Sequence, residues 1–307
     1  MLHPMNRRSF LQSTAAAAAG AALASAGALN AAAADESSGK LKLRKAVKFG
    51  MIGEGNTIKE KFELIKSLGF EGVEMDSPSD VNREEAKKAA EETGIVIHGV
   101  IDSVHWKQRF SDPDPAVREK GLEALRGAIK DAAFYGATTV LVVPGAVRDP
   151  KTENFDQCWE RSQAEIKKAI PDAKAANVKI AIEVVWNMFI TKPEQIVKYV
   201  DEFADPTVGA YFDVTNMIRF GFRPQEWIRA MGKRMLKFDF KGYSHAKFMN
   251  EQDPWVPIGE GDEPWDKVRK ALKDVGYEGW ATSEVGAGKR EYLKDIAARM
   301  DKVLGLG

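Results

Sequence analysis

From Lys45 onward, short apolar runs alternate with amphipathic stretches. The apolar runs are 46–52, 72–76, 95–100, 138–145, 178–185, 208–214, 235–241 and 279–285. They are continuous rather than alternating, the pattern of strands covered on both faces. Between and after them, helical periodicity is predicted over 58–68, 83–93, 116–135, 155–176, 193–203, 224–231, 265–275 and 291–303. Gly69, Gly94, Gly136 and Gly276 stand where helices would end before the next strand, as C-terminal caps. Eight strand–helix units in strict alternation predict a parallel sheet with crossover helices. The span 45–307 is the length of one closed (β/α)8 TIM barrel, a single domain. An open doubly wound sheet is the alternative. Its first turn usually carries G-x-G-x-x-G, whereas this chain has Gly53-Glu54-Gly55-Asn56-Thr57. P-loop, H-E-x-x-H and G-x-S-x-G motifs are also missing from the sequence.

The first 34 residues follow a different pattern. Arg7 and Arg8 lead into Ser9-Phe10-Leu11, then a long Ala/Gly/Leu run, then small residues before Asp35. This is a charged start, an apolar middle and an A-x-A type cleavage region, with the adjacent arginines of a twin-arginine export signal. Cleavage is expected near Ala34, with 35–44 as a flexible leader. The run is weakly hydrophobic and broken by small residues, which disfavours a stable membrane span. The mature protein is expected outside the cytoplasm, in the periplasm.

Composition narrows the chemistry. The 307 residues carry 45 basic and 45 acidic side chains, a formal net charge of +0, so no global excess favours nucleic acid. The single cysteine, Cys158, excludes an internal disulfide framework and a cysteine metal cluster. Four histidines, His3, His98, His105 and His245, are too few for a multi-zinc site once His3 is assigned to the signal.

Four carboxylates stand at the ends of successive apolar runs: Glu183, Asp213, Asp239 and Glu284. Any one of them has an ordinary explanation, a helix cap or a lysine partner. Together they fall on the fifth to eighth strands, whose C-terminal ends converge in a barrel. Converging acids repel unless protonated or holding a cation. One divalent metal with oxygen ligands, Mn²⁺ or Mg²⁺, is the economical reading. Lys241 follows Asp239 by two positions, on the same strand face, and is placed to neutralise one carboxylate. His98, inside an apolar run, reads as buried and hydrogen-bonded. Gly286 and Gly288 mark either an ordinary loop or a weak phosphate site.

At this point the chain resembles the xylose-isomerase-like barrel superfamily of sugar isomerases and epimerases. IAIEVVWN, GAYFDVTN, LKFDFKG, IGEGDEPW and GWATSEVG carry the resemblance. It implies a single divalent metal held by Glu183, Asp213, a strand-seven residue and Glu284. The strand-seven position is usually His and is Asp239 here. The resemblance also implies that Glu183 and Glu284 move the substrate proton. It places Asn216 and His245 toward a sugar or polyol substrate, and Glu74 behind the site; Lys241, by its strand face, and His105 with Trp106, in a loop after an early strand, are expected to contact the same substrate. The expected reaction is isomerisation or epimerisation through an enediolate. Dehydration of a keto-cyclitol and non-catalytic sugar binding are the alternatives. The superfamily's abasic-site endonucleases use several histidines and a basic groove, which this composition does not offer.

Overall fold

The computed structural model describes residues 41–221 and 223–306. The signal segment and most of the leader lie outside the described residues. Eight parallel strands close into a barrel in sequence order, β1 pairing with β8. The element order is β1 Leu43–Lys48, α1 Ile58–Ser67, β2 Gly72–Ser77, α2 Arg83–Thr93 and β3 Val96–Asp102, then α3 Pro115–Tyr135, β4 Thr139–Val142 and α4 Phe155–Ala175. There follow β5 Lys179–Glu183, α5 Pro193–Asp201, β6 Val208–Asp213, α6 Pro224–Met231 and β7 Met235–Phe240, and finally α7 His245–Met249, α8 Trp265–Asp274, β8 Gly279–Ser283 and α9 Arg290–Leu304.

Local sequence sets the helix ends. Thr57 accepts from the Glu60 N–H while the Glu60 side chain returns to the Thr57 backbone, starting α1. Asn154 and Gln157 repeat the device at α4. Gly94 and Gly136 end α2 and α3 in the left-handed region, with φ of 72° and 74°. The main core lies between strands and helices, where Phe62, Ile65, Ile129, Ile166, Tyr199, Trp227, Leu272 and Met300 are buried.

Two elements differ from the sequence reading. The first strand begins at Leu43, not Ala46, and gives way to a 3-10 turn over Phe49–Met51. Leu43 and Arg44 were expected in the leader, but both pair with β8, and the ammonium of the next residue, Lys45, sits 2.7 Å from Asp301. The stretch after β7, read as loop, contains the short helix α7, started by Ser244, whose Oγ accepts from the Lys247 N–H.

The loop after β7 is clamped by the GEGDE stretch. Tyr243 pairs with Trp255 in an antiparallel bridge, and the Val256 N–H donates to Gly242 O at 3.0 Å. Glu263 Oε1 accepts from the Tyr243 N–H at 2.9 Å, and Asp262 Oδ2 from the His245 N–H at 2.6 Å. Glycine is required at two of these crossings. A Cβ on Gly261 would lie 2.6 Å from Tyr243 N, and one on Gly242 would lie 2.7 Å from Pro257 O.

Candidate active site

The four carboxylates meet at the C-terminal mouth of the barrel. β5 ends on Glu183 and β6 on Asp213, Asp239 lies in register with Asp213, and Glu284 follows the last residue of β8. One carboxylate oxygen from each lies within 4.8 Å of the others. Asp213 and Asp239 are fully buried, Glu183 is 6 % exposed, and the Glu284 side chain is the most open.

Two ammonium groups enter this cluster. Lys48, the last residue of β1, sits 2.9 Å from Asp239 Oδ2 and also donates to Glu284 Oε1. Lys241, just past β7, donates to Asp213 Oδ2 and lies 2.5 Å from Glu284 Oε2. Asp213 Oδ1 accepts from the Thr215 N–H at 2.6 Å and the Asn216 N–H at 2.9 Å, which orders the turn after β6.

The electrostatics follow from this crowding. Burial pushes the Glu183 carboxyl well up, reinforced by Asp239 and Glu284. Burial likewise raises Asp239 well above the carboxylate range despite Lys48, and raises Asp213 despite Lys241. Glu284 is the exception: burial opposes ionisation, but Lys48 and Lys241 together hold it down at about 2. For Lys48, burial works against the charge, and Asp239, Glu284 and Glu183 outweigh it, so the ammonium persists.

These residues fit a divalent cation. All four donors are oxygen, the set preferred by Mg²⁺ and Mn²⁺. Asp239 Oδ1 is buried with no hydrogen-bond partner. Four carboxylates against two ammonium groups leave a formal charge of −2, which one divalent ion cancels.

A cavity of about 480 Å³ opens above the cluster. Of the four acids only Glu183 and Glu284 line it; Asp213 and Asp239 lie behind them. Asn216, Lys241, His105 and Trp106 also line it. Asn216 Nδ2 lies 3.5 Å from Glu183 Oε1 and donates to Val184 O at 3.2 Å. Burial, helped by the Lys48 charge, drives the His105 imidazole down to about 4, so it is neutral at physiological pH. His245 does not line the cavity: it heads α7, with its ring against Tyr243 and Phe248. Glu74 is below the cluster, accepting from the Tyr211 hydroxyl at 3.0 Å. His98 is buried and stacked on Trp280 at 4.4 Å.

Sequence reading missed Lys48, Trp186 and Trp255, all of which line the cavity. Lys48 had a signal, a lone charge inside the apolar run AVKFGMI. Trp186 directly follows the fifth run. Trp255 had none, since it reaches the mouth only through the clamped loop, where it stacks on Trp186 at 5.1 Å with the rings 8° apart.

Similar proteins share this architecture. The chain is 27% identical over 262 residues to L-ribulose-5-phosphate 3-epimerase of Escherichia coli O1:K1, covering 79% of this chain and 90% of that one. The structure of D-psicose 3-epimerase from Clostridium cellulolyticum H10, determined with D-tagatose, matches with a TM-score of 0.66 at 20% identity, covering 86% of this chain and 98% of that one. That of 3-keto-D-glucoside 4-epimerase from E. coli matches with a TM-score of 0.70 at 17% identity, over 86% and 99%. A twin-arginine translocation signal profile matches residues 4–24. The profile of the xylose isomerase-like TIM barrel matches residues 62–302, more than half of the sequence, and the chain belongs to that family.

Proposed function

We infer that the protein is an epimerase or isomerase of a sugar or keto-sugar, exported by the twin-arginine route to the periplasm. One observation carries the reading: of four converging acids, the two that reach the cavity are Glu183 and Glu284. In the proposed reaction one of them removes the proton on the carbon next to a carbonyl. The other returns it to the opposite face or the neighbouring atom. Asp213 and Asp239, buried behind, complete a site in which Glu183, Asp213, Asp239 and Glu284 would hold one divalent ion. When bound, that ion polarises the carbonyl and its adjacent hydroxyl. Lys48 and Lys241 keep positive charge fixed beside Glu284, where an enediolate's negative charge is offset. Asn216, His105 and Trp106 bound the sugar. Trp106 is 44 % exposed and meets His105 edge-on at 5.5 Å, a surface fit for the apolar face of a sugar ring.

Proton exchange tests this directly. Metal-loaded protein incubated with free ketopentoses and ketohexoses in deuterated water is expected to place deuterium beside the carbonyl, with an epimer or isomer as product. Exchange with loss of water from a cyclitol would replace this reading with a dehydratase. No exchange across the sugar and cyclitol panel would leave a sugar-binding barrel.

A further inference from the structure

A second cavity adjoins the first. It measures about 450 Å³ and lies between the clamped loop after β7 and the start of α9, lined by Trp255, Val256, Pro257, Ile258, Val285 and Tyr292. Lys241, Trp255 and Glu284 line both cavities, so the two adjoin at a carboxylate of the acid cluster. Each volume falls within the range of about 300–1,000 Å³ typical of small-molecule sites. One sugar ring seated over Glu183 and Glu284 leaves the outer cavity unfilled.

The outer walls select an uncharged occupant. They are aliphatic apart from two aromatics, Trp255 at 42 % and Tyr292 at 41 % exposure, and aromatic rings with a polar tip suit the mixed faces of sugars. The charged groups at its edge are already engaged: Lys241 with Asp213 and Glu284, and Asp295 with Arg299 at 2.6 Å. In many barrels, phosphate binds near the loops after strands seven and eight, at a helix start. Here the protein's own Glu54 engages the first N–H of that helix. The Arg290 N–H at the start of α9 donates to Glu54 Oε2 at 3.0 Å, and the Arg290 guanidinium lies 3.4 Å from Glu54 Oε1.

We propose that the outer cavity is a second-ring subsite. The substrate is a glycoside whose reacting ring lies at Glu183 and Glu284 and whose next, uncharged ring lies against Trp255 and Tyr292. Which ring reacts rests on the epimerase reading; the occupancy of the outer cavity does not.

The test is calorimetric titration of the mature protein with one- and two-ring probes. D-fructose is compared with its glucosides maltulose and isomaltulose and with D-fructose 6-phosphate, and D-glucose with phenyl β-D-glucoside. At least one two-ring probe is expected to bind about tenfold or more tightly than its one-ring parent, a gain of roughly 1.4 kcal/mol. The phosphate is expected to bind no more tightly than D-fructose. Tyr292→Ala and Val256→Asp are each expected to abolish the gain while the parent's affinity stays unchanged, which also reports that the variants are folded. Equal affinity for one and two rings, tighter binding of the phosphate, a gain that survives both variants, or no binding of any probe would overturn the proposal. Deuterium exchange on the same probes separates the two readings. Exchange without a two-ring gain removes the subsite alone, and a Tyr292-dependent gain without exchange removes the epimerase reading alone.

Discussion

Two charged layers lie one above the other inside the barrel, and they cancel their charge differently. The lower layer holds Tyr211, Lys237 and Thr282, each two residues before a member of the upper one, together with Glu74 and His98. There one carboxylate faces one lysine. Tyr211 donates to Glu74, Lys237 donates to the His98 carbonyl, and burial with the nearby Lys237 charge keeps His98 neutral. Burial lowers Lys237 to about 8, with Glu74 opposing the shift. The upper layer has the same ingredients in a different ratio, four carboxylates to two lysines. Balanced burial of charge is a structural solution, whereas a surplus calls for a ligand from outside.

The largest effect that would break this contrast is on turnover. Glu183→Gln and Glu284→Gln should each lower the rate of proton exchange by about 10²–10⁴-fold, the usual contribution of a general acid or base. Glu183→Gln should not lower the midpoint of thermal unfolding, because it removes a disfavoured charge from an over-anionic layer, whereas Glu284→Gln should lower it, because Lys48 and Lys241 lose a shared partner. Metal content is measured on the same samples, so that a variant retaining its ion but losing exchange identifies the proton carrier. A large loss of stability in the Glu183 variant would place that acid with the structural layer instead.

Metal affinity comes next. Titration with Mn²⁺ should give about one ion per mature chain. Asp213→Asn should weaken binding by on the order of 10–100-fold. Lys48→Met, which deepens the surplus, should tighten it. Unchanged binding in the Asp213 variant would remove the ion from this site.

In the lower layer the expectation reverses. Lys237→Met removes one of the two lysine charges, with Lys48, that offset buried Glu74 and leaves the His98 carbonyl without its donor, and should cost about 3 kcal/mol in denaturant unfolding. Exchange per folded molecule should stay near wild type. A stable Lys237 variant with lost exchange would merge the two layers into one functional unit.

The last effect, confined to one pH range, concerns an acid with neither arrangement. Asp102, at the end of β3, is fully buried, and burial pushes its carboxyl up to about 7, opposed only by the Val104 N–H. Its folded value lies above the unfolded one of about 3.9, so between those values the native state binds the extra proton. Its contribution to stability is therefore complete below about pH 4 and is lost as pH rises through about 7. Asp102→Asn should flatten that part of the stability profile by on the order of 4 kcal/mol, read from urea midpoints between pH 4 and 8.

Most of the barrel was legible because buried parallel strands must be continuously apolar, and glycines such as Gly94 and Gly136 punctuate the helices. The acids were legible for the same reason, since a carboxylate closing IAIE or YFD stands out against its run. Lys48 and Lys45 were harder, because lysines within an apolar strand are meaningful only once their partners Asp239 and Asp301 are known, and both partners are far along the chain. Trp255 was invisible, since its place depends on hydrogen bonds of Gly242, Tyr243 and Glu263 that no periodicity encodes. The loop histidine His245 shows the converse: a residue type that suggests chemistry was placed by its backbone, as the start of α7.

Gly242 separates two properties that most enzymes inherit together. The absence of a side chain there lets the 255–257 stretch lie directly on the chain leaving β7. Any larger residue would push that stretch off the chain leaving β7 and shift Trp255 at the cavity wall, while leaving every acid on its own strand end. Selection can therefore retune which molecules are admitted by altering one hinge of the rim, without renegotiating the reaction below it.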